Sequence, residues 1–241
     1  MVAADFTHLY QQAVADRKAQ YGPEHPKVAA ALLDLALYLK EQGDKASAAG
    51  ALQAMIAISK EPVARAEGLL ELAALTGVYR EVPSALAVLE KAAVIAPSRA
   101  VALNNLGTAV EQLDPKLAER LYRAALRAYR AASTDAEYGS VLNNLANLLL
   151  NTDRATAAEP LCRRALAIFT GTLGKEHPRT AAATSNLGDM LAAQGKLAAA
   201  ETAYKQALEI DIAVHGAAHP DVAASREKLE ALQAHRKETG R

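Results

Sequence analysis

Residues 174–180 read GKEHPRT, and the reading of this short stretch decides the fold. A histidine in a glycine-led break first suggests catalysis or a metal. The same stretch recurs, however, as GPEHPKV at 22–28 and as GAAHPDV at 216–222. The second and third copies are 42 residues apart, counted from Pro178 to Pro220. A single catalytic loop has no reason to return at a fixed spacing, whereas the boundary of a structural repeat does. Proline disfavours helix in the residue before it, and Gly22, Gly174 and Gly216 permit the preceding turn. His25, His177 and His219 are therefore expected to donate hydrogen bonds that pin repeat junctions.

Outward from these boundaries the chain aligns on one small residue: Ala36, Ala73, Gly107, Ala146 and Gly188. A leucine precedes each of them, at 35, 72, 106, 145 and 187. Twelve positions later comes Ala48, Ala85, Ala158 or Ala200, with Ala118 one residue early in the third copy. Four residues past that alanine sits a bulky or buried type: Leu52, Leu89, Tyr122, Cys162 or Tyr204. Spacings of three and four put these residues on one helix face. Short breaks divide each copy, such as QGDKA at 42–46, NTDRA at 151–155 and AQGKLA at 193–198. Gly43 and Gly195 suit a left-handed helix end, and Pro115 suits a first helical turn.

The unit is a pair of helices: helix A with the leucine and the small residue, helix B with the alanine and the bulky one. The small positions are expected to let two helix backbones approach closely. Twelve helices are predicted, at about 6–20, 27–42, 46–59, 63–79, 83–96, 99–112, 115–131, 136–151, 155–171, 179–194, 198–214 and 221–237.

Composition narrows the function. Hydrophobic residues make up 51% of the 241 and aromatic ones 4%, with no tryptophan. Lys+Arg and Asp+Glu are equal at 27 each, which argues against nucleic acid, whose binding demands a basic face. The first residues lack a basic start followed by an apolar core, so a signal peptide is not expected. No apolar run reaches membrane-spanning length, so a membrane partner is not expected either, and the cytoplasm is the expected location. The one cysteine, Cys162, excludes an intrachain disulfide and a cysteine cage for a metal. It falls at the packed position of helix B and reads as inert core.

Motifs for chemistry are missing. Gly174-Lys175 lacks the upstream glycine and the following Ser or Thr of a phosphate loop. There is no H-E-x-x-H, G-x-S-x-G or G-x-G-x-x-G. His215 and His219, four apart, would suit zinc on one helix face. Gly216 and Pro220 break that helix, and the sequence offers no evident third ligand. The expectation is no enzyme, no metal and no cofactor. Charges on 115–131 and 155–171 read as a solvated convex face.

The helix pair resembles the tetratricopeptide repeat, with its W-x2-L-G-x2-Y, then A-x3-F, then P pattern. The fifth copy reads Thr184-x2-Leu187-Gly188-x2-Leu191, then Ala200-x3-Tyr204, with the tryptophan position filled otherwise. The 42-residue period, the G-x-x-H-P boundary and the stretches VLNNLANLL at 141–149 and AEPLCRRALAI at 158–168 are similar to kinesin-light-chain-type repeats. The resemblance implies an all-α, right-handed superhelical solenoid of about twelve helices forming a single array. Its parts are a half repeat at 1–26, repeats at about 27–62, 63–97, 98–135, 136–178 and 179–220, and a capping helix at 221–241. The polar last helix suits a solvent-facing cap; the first helix is either a natural cap or the edge of a longer array.

Asparagine is a mediocre helix former, yet Asn104, Asn105, Asn143, Asn144, Asn147 and Asn186 all fall on A helices. In the resembling family these helices line a concave groove, and the position held here by Asn105, Asn144 and Asn186 contacts ligand backbone. Those six and Asp189 form the expected peptide-binding set. The amides would pair with an extended peptide's N–H and C=O, or instead tie neighbouring A helices together. In the first two copies the matching residues are Asp34 and Glu71, with Leu33, Leu37 and Leu70 nearby, so that end is expected to be apolar and mildly acidic. Leu33, Leu70, Asn104, Asn143 and Ser185, where relatives that bind chaperone tails place lysines, are not basic, so no carboxylate clamp is expected. The implied function is a scaffold that binds an extended segment of a protein partner. A docking or regulatory module of a larger enzyme or assembly, and self-association through the terminal helices, remain as alternatives.

Overall fold

Alanine and leucine at helical spacing, cut by Gly, Asp and Pro, leave the backbone one regular option. The structure, a computed structural model, describes residues 6–92, 99–129 and 135–239, and among them every regular element is a helix. The chain divides into two compact units, Met1–Ala124 and Ala125–Arg241. The first contains α1 (Thr7–Tyr21), α2 (Pro26–Glu41), α3 (Lys45–Ile58), α4 (Pro62–Thr76), α5 (Val82–Ala92), α6 (Ala100–Val110) and most of α7 (Pro115–Ala128). The second contains α8 (Ala136–Asn151), α9 (Ala155–Thr172), α10 (Pro178–Ala193), α11 (Leu197–His215) and α12 (Pro220–Thr239). Each predicted helix has a counterpart. The predicted ends at 96 and 131 lie outside the described residues. The end predicted at 79 moves back to Thr76, because Gly77 takes the left-handed conformation at φ 72° and closes α4.

The turns inside the repeats share one geometry. Gly43, Asp153 and Gly195 have φ of 83°, 59° and 74°. In each case the next residue's N–H reaches back to a carbonyl of the finished helix: Asp44 to Leu39, Arg154 to Leu149 and Lys196 to Leu191. This closes the last turn and satisfies a carbonyl the helix leaves open. Asp44 then caps α3 by accepting from the Ser47 N–H at 3.0 Å, and the Ser47 hydroxyl first, with this N–H second, holds its carboxyl below the usual carboxylate range.

Each repeat buries the residues its alignment singles out. Ala48, Ala85, Ala118, Ala158 and Ala200 are all inaccessible or nearly so. The small position works differently from the expectation. Gly188 and Gly107 make room for aromatic rings rather than for a second backbone. A Cβ on Gly188 would stand 2.5 Å from the Tyr204 ring, and one on Gly107 would stand 2.6 Å from Tyr122. Where the small residue is Ala, at 36, 73 and 146, the helix B partner position is Leu52, Leu89 or Cys162, none of which carries a ring. Gly with Tyr and Ala with Leu fill about the same volume, as close packing favours, while Ala146 with Cys162 is a smaller pair.

Within the second unit α8 packs on α9, α10 on both α9 and α11, and α11 on α12, while α8 touches α10 directly. Consecutive A helices α8 and α10 are therefore neighbours.

Candidate interaction face of the second unit

The predicted junction histidines are helix caps. His25, His177 and His219 each stand just before a helix whose first residue is proline. Nδ1 accepts the N–H of Lys27 at 3.2 Å, of Arg179 at 3.0 Å and of Asp221 at 3.2 Å. The imidazoles accept where donation was expected. The first N–H groups of a helix have no carbonyl partner, so a residue at this place serves them only as an acceptor.

On the A helices of the second unit, Asn186 Nδ2 donates to Asn143 Oδ1 at 3.0 Å, linking α10 to α8. Asn143, Asn144, Asn147 and Asn186 are all half-buried, as is Asp189. Asp189 accepts twice: from the Tyr204 hydroxyl at 2.7 Å and from Lys228 Nζ at 2.7 Å. Lys228 also donates to Ser185 Oγ at 3.2 Å, so one ammonium ties α12 to α10. Lys228 lies 42 residues after Asn186 and is its counterpart on the last A helix. It stands one position past Glu227, the Ser185 equivalent, so the basic group falls outside the positions where a clamp lysine is expected, although the repeat period leads to it from Asn186. Asn186, Ser185 and Lys228 line a cleft of about 350 Å³ that Asp211, His215 and Asp221 also line. Asp211 is buried and accepts from Ser225 Oγ at 2.6 Å.

In the first unit, Asn104 is half-buried and Asn105 exposed on α6. The expectation of an apolar, mildly acidic groove at Glu71 and Leu70 needs correction, because both are buried. Glu71 accepts from Lys40 Nζ and from Arg99, each at 2.9 Å, and Arg99 also pairs with Glu67 at 3.3 Å. An acid taken from water needs its charge matched, and two cations match it here. Leu33 lines a pocket of about 190 Å³ with Met55 and Ile58.

The helix B charges likewise do more than face solvent. Glu159 accepts from Lys196 at 2.8 Å, Gln194 at 2.9 Å and Arg163 at 2.8 Å. Its repeat counterpart Glu201 pairs with Lys205, Gln233 and Arg236. These bonds, from Lys196 and Lys205 foremost, hold both carboxyls down to about 2. Each glutamate thereby clasps its own helix to the next repeat. Cys162 is fully buried, its thiol donates to the Ala183 carbonyl at 3.3 Å, and burial pushes it up to about 12. A thiol so far from ionising is a poor nucleophile.

At the α11–α12 junction, the His215 and His219 rings stack with centroids 4.4 Å apart. Asp221 Oδ2 lies 3.8 Å from His215 Nε2 and 3.6 Å from His219 Nδ1. The loop thus adds a carboxylate to the two imidazoles, a third donor that the helix-face reading did not reach. Among the described residues no helix is long and apolar enough to cross a membrane.

Comparison with known proteins matches residues 137–213 to the tetratricopeptide repeat family. No curated protein matches the chain in sequence. Several solved structures share its fold. YrrB, described as a tetratricopeptide protein with an unusual peptide-binding site, superposes with a TM-score of 0.62 at 17% identity, over 85% of this chain and 93% of that one. A putative kinesin light chain from Podosopora anserina with nearly identical repeats gives 0.55 at 22% identity, over 80% of this chain and 99% of that one. BtubC from P. vanneervenii gives 0.50 at 17% identity, over 97% of this chain and 83% of that one.

Proposed function

We propose that the chain is a protein-interaction scaffold whose second unit, the part that matches the tetratricopeptide repeat family over residues 137–213, takes an extended segment of a partner along α8, α10 and α12. The observation that carries this reading is Asn186. It lines the cleft beside Lys228, and its amide is aimed by the bond to Asn143. That bond uses one of its two hydrogens. The other hydrogen and Oδ1 remain to meet one C=O and one N–H of a peptide. Asn144 and Asn147 continue the amide row on α8. Packed helices are spaced by roughly 8–10 Å, which is about two to three residues of extended chain. Adjacent A helices would then grip different peptide units of one ligand. The peptide-binding site described for YrrB, whose fold this chain shares, supports the same class of partner.

Display selection of a random peptide library on the full chain tests the reading. Enriched peptides are expected to lose about a hundredfold in affinity for the Asn144→Ala, Asn186→Ala double variant, since each unmade buried hydrogen bond costs about 1–3 kcal/mol. The variant's melting temperature is read in parallel. Peptides that bind both proteins equally, or a variant that loses only stability, would sink the groove.

A further inference from the structure

We propose that His215, His219 and Asp221 form a binding site for a divalent transition-metal ion at the junction of α11 and α12. Two imidazoles and a carboxylate are the donor set that zinc and its first-row neighbours accept. Bonds of 2.0–2.2 Å to a tetrahedral ion put ligand atoms about 3.3–3.5 Å from one another. Here Asp221 Oδ2 stands 3.8 Å from His215 Nε2 and 3.6 Å from His219 Nδ1, and one donor atom from each residue falls within 4.8 Å of the other two. A small turn of the side chains closes the difference.

The chain supplies its own comparison, because the same loop occurs three times. His25 and His177 cap their helices as His219 does, so an imidazole at this place is explained by the turn alone. The other two donors are not. The residue before the junction glycine is Tyr21 in the first copy, Leu173 in the second and His215 in the third. Asp221 stands where the other copies have Lys27 and Arg179. In the first copy Tyr21 stacks on His25 at 4.9 Å and Lys27 Nζ donates to the Tyr21 hydroxyl at 3.0 Å. The second copy caps its helix through His177 in the same way with leucine and arginine at these places, although there the Gly174 N–H donates to the Phe169 carbonyl and the preceding helix ends at Thr172. The fold of the loop therefore needs neither His215 nor Asp221, and only the third copy combines them.

The positive partial charge at the N-terminus of α12 opposes a cation, and Asp221 in its first turn offsets it. Lys228 lines the same cleft but is paired with Asp189 at 2.7 Å. Asp211, one helical turn before His215, lines the same cleft. His215 is half-buried while Asp221 is exposed, so the ion would be held from the protein side and open to water or to a partner's donor on the other. Nδ1 of His219 has one lone pair, so binding the ion there gives up the bond from the Asp221 N–H, which is left to solvent. The ion would clip the end of α11 to the start of α12, beside the cleft assigned above to a peptide, but the site does not depend on that assignment.

Calorimetric titration of the full chain with zinc alone, and visible absorption with cobalt(II) alone, test the proposal. One equivalent of zinc should bind, and cobalt(II) should develop the strong visible bands of a four-coordinate site. His215→Tyr and Asp221→Arg install residue types that the sister loops already tolerate. Each should weaken zinc binding at least about tenfold with unchanged helicity, whereas His8→Ala and His235→Ala should not. Protection of His215 from carbethoxylation by zinc, read by mass spectrometry, repeats the test on the unaltered protein. No stoichiometric zinc binding, binding that survives both junction variants, or His215 modified equally with and without zinc would overturn the site. Peptide binding measured in chelator separates this failure from failure of the groove.

Discussion

His177 shows how much one acceptor decides. Its ring nitrogen takes the Arg179 N–H, while the following Pro178 has no N–H to satisfy. Cap and proline together start α10 at a defined residue. Replacing His177 by Ala is expected to cost about 1 kcal/mol, the usual worth of an N-cap side chain, and His177→Asn to recover most of it. Chemical denaturation of the three proteins measures both. Peptide affinity should not move, since the loss is at the helix start. The direction of this bond was not legible in the sequence. The recurrence of His before Pro marks a junction, but whether an imidazole donates or accepts a hydrogen bond depends on which backbone groups face it. The amides at 143 and 186 have the same character. Their spacing marks a shared face, while the bond across it depends on how α8 and α10 are offset.

Among the elements, the helix pair is fitted by volume at one place. The Gly188–Tyr204 and Gly107–Tyr122 contacts leave no room for a methyl group, because a ring is rigid and Tyr204 is also held by its hydroxyl on Asp189. Gly188→Ala is therefore expected to destabilise by about 1–3 kcal/mol, as overpacking does, despite alanine's better helix propensity. Combining it with Tyr204→Leu, the pairing type at Ala36 and Leu52, should restore part of the loss. The cycle should then show favourable coupling when melting of all four proteins is compared. Additive losses would mean that the two residues do not compete for the same space. Existence and order of the helices were legible because apolar residues recur at three and four. The pairing of ring with glycine was less so, since the alignment shows a small residue and a large one without showing that they meet.

Across the whole molecule, the 27 basic and 27 acidic residues cancel in number, yet their effect lies in where they pair. In the second unit Glu159 and Glu201 stand at one repeat position and fasten successive repeats. In the first, Glu71 joins Lys40 and Arg99 instead. The 42-residue period made the second unit readable from one repeat to the next. The first unit changed both its period and its groove residues, so Glu71 looked like an open acidic site. Glu159 and Glu201 have folded values below their unfolded ones, so their contribution is complete above about 4.5 and is lost as pH falls from there towards about 2. Thermal melts should show stability falling over that window, and the Glu159→Gln, Glu201→Gln double variant should have a shallower decline. The glycine–tyrosine contact, finally, bears on descent. A repeat cannot pass from the Gly–Tyr form to the Ala–Leu form through an alanine facing a tyrosine without a clash. The open route first shrinks the ring, leaves a temporary void, and only then adds the methyl. Related arrays should therefore sort by pair type rather than by either residue alone, with alanine facing tyrosine the rare combination.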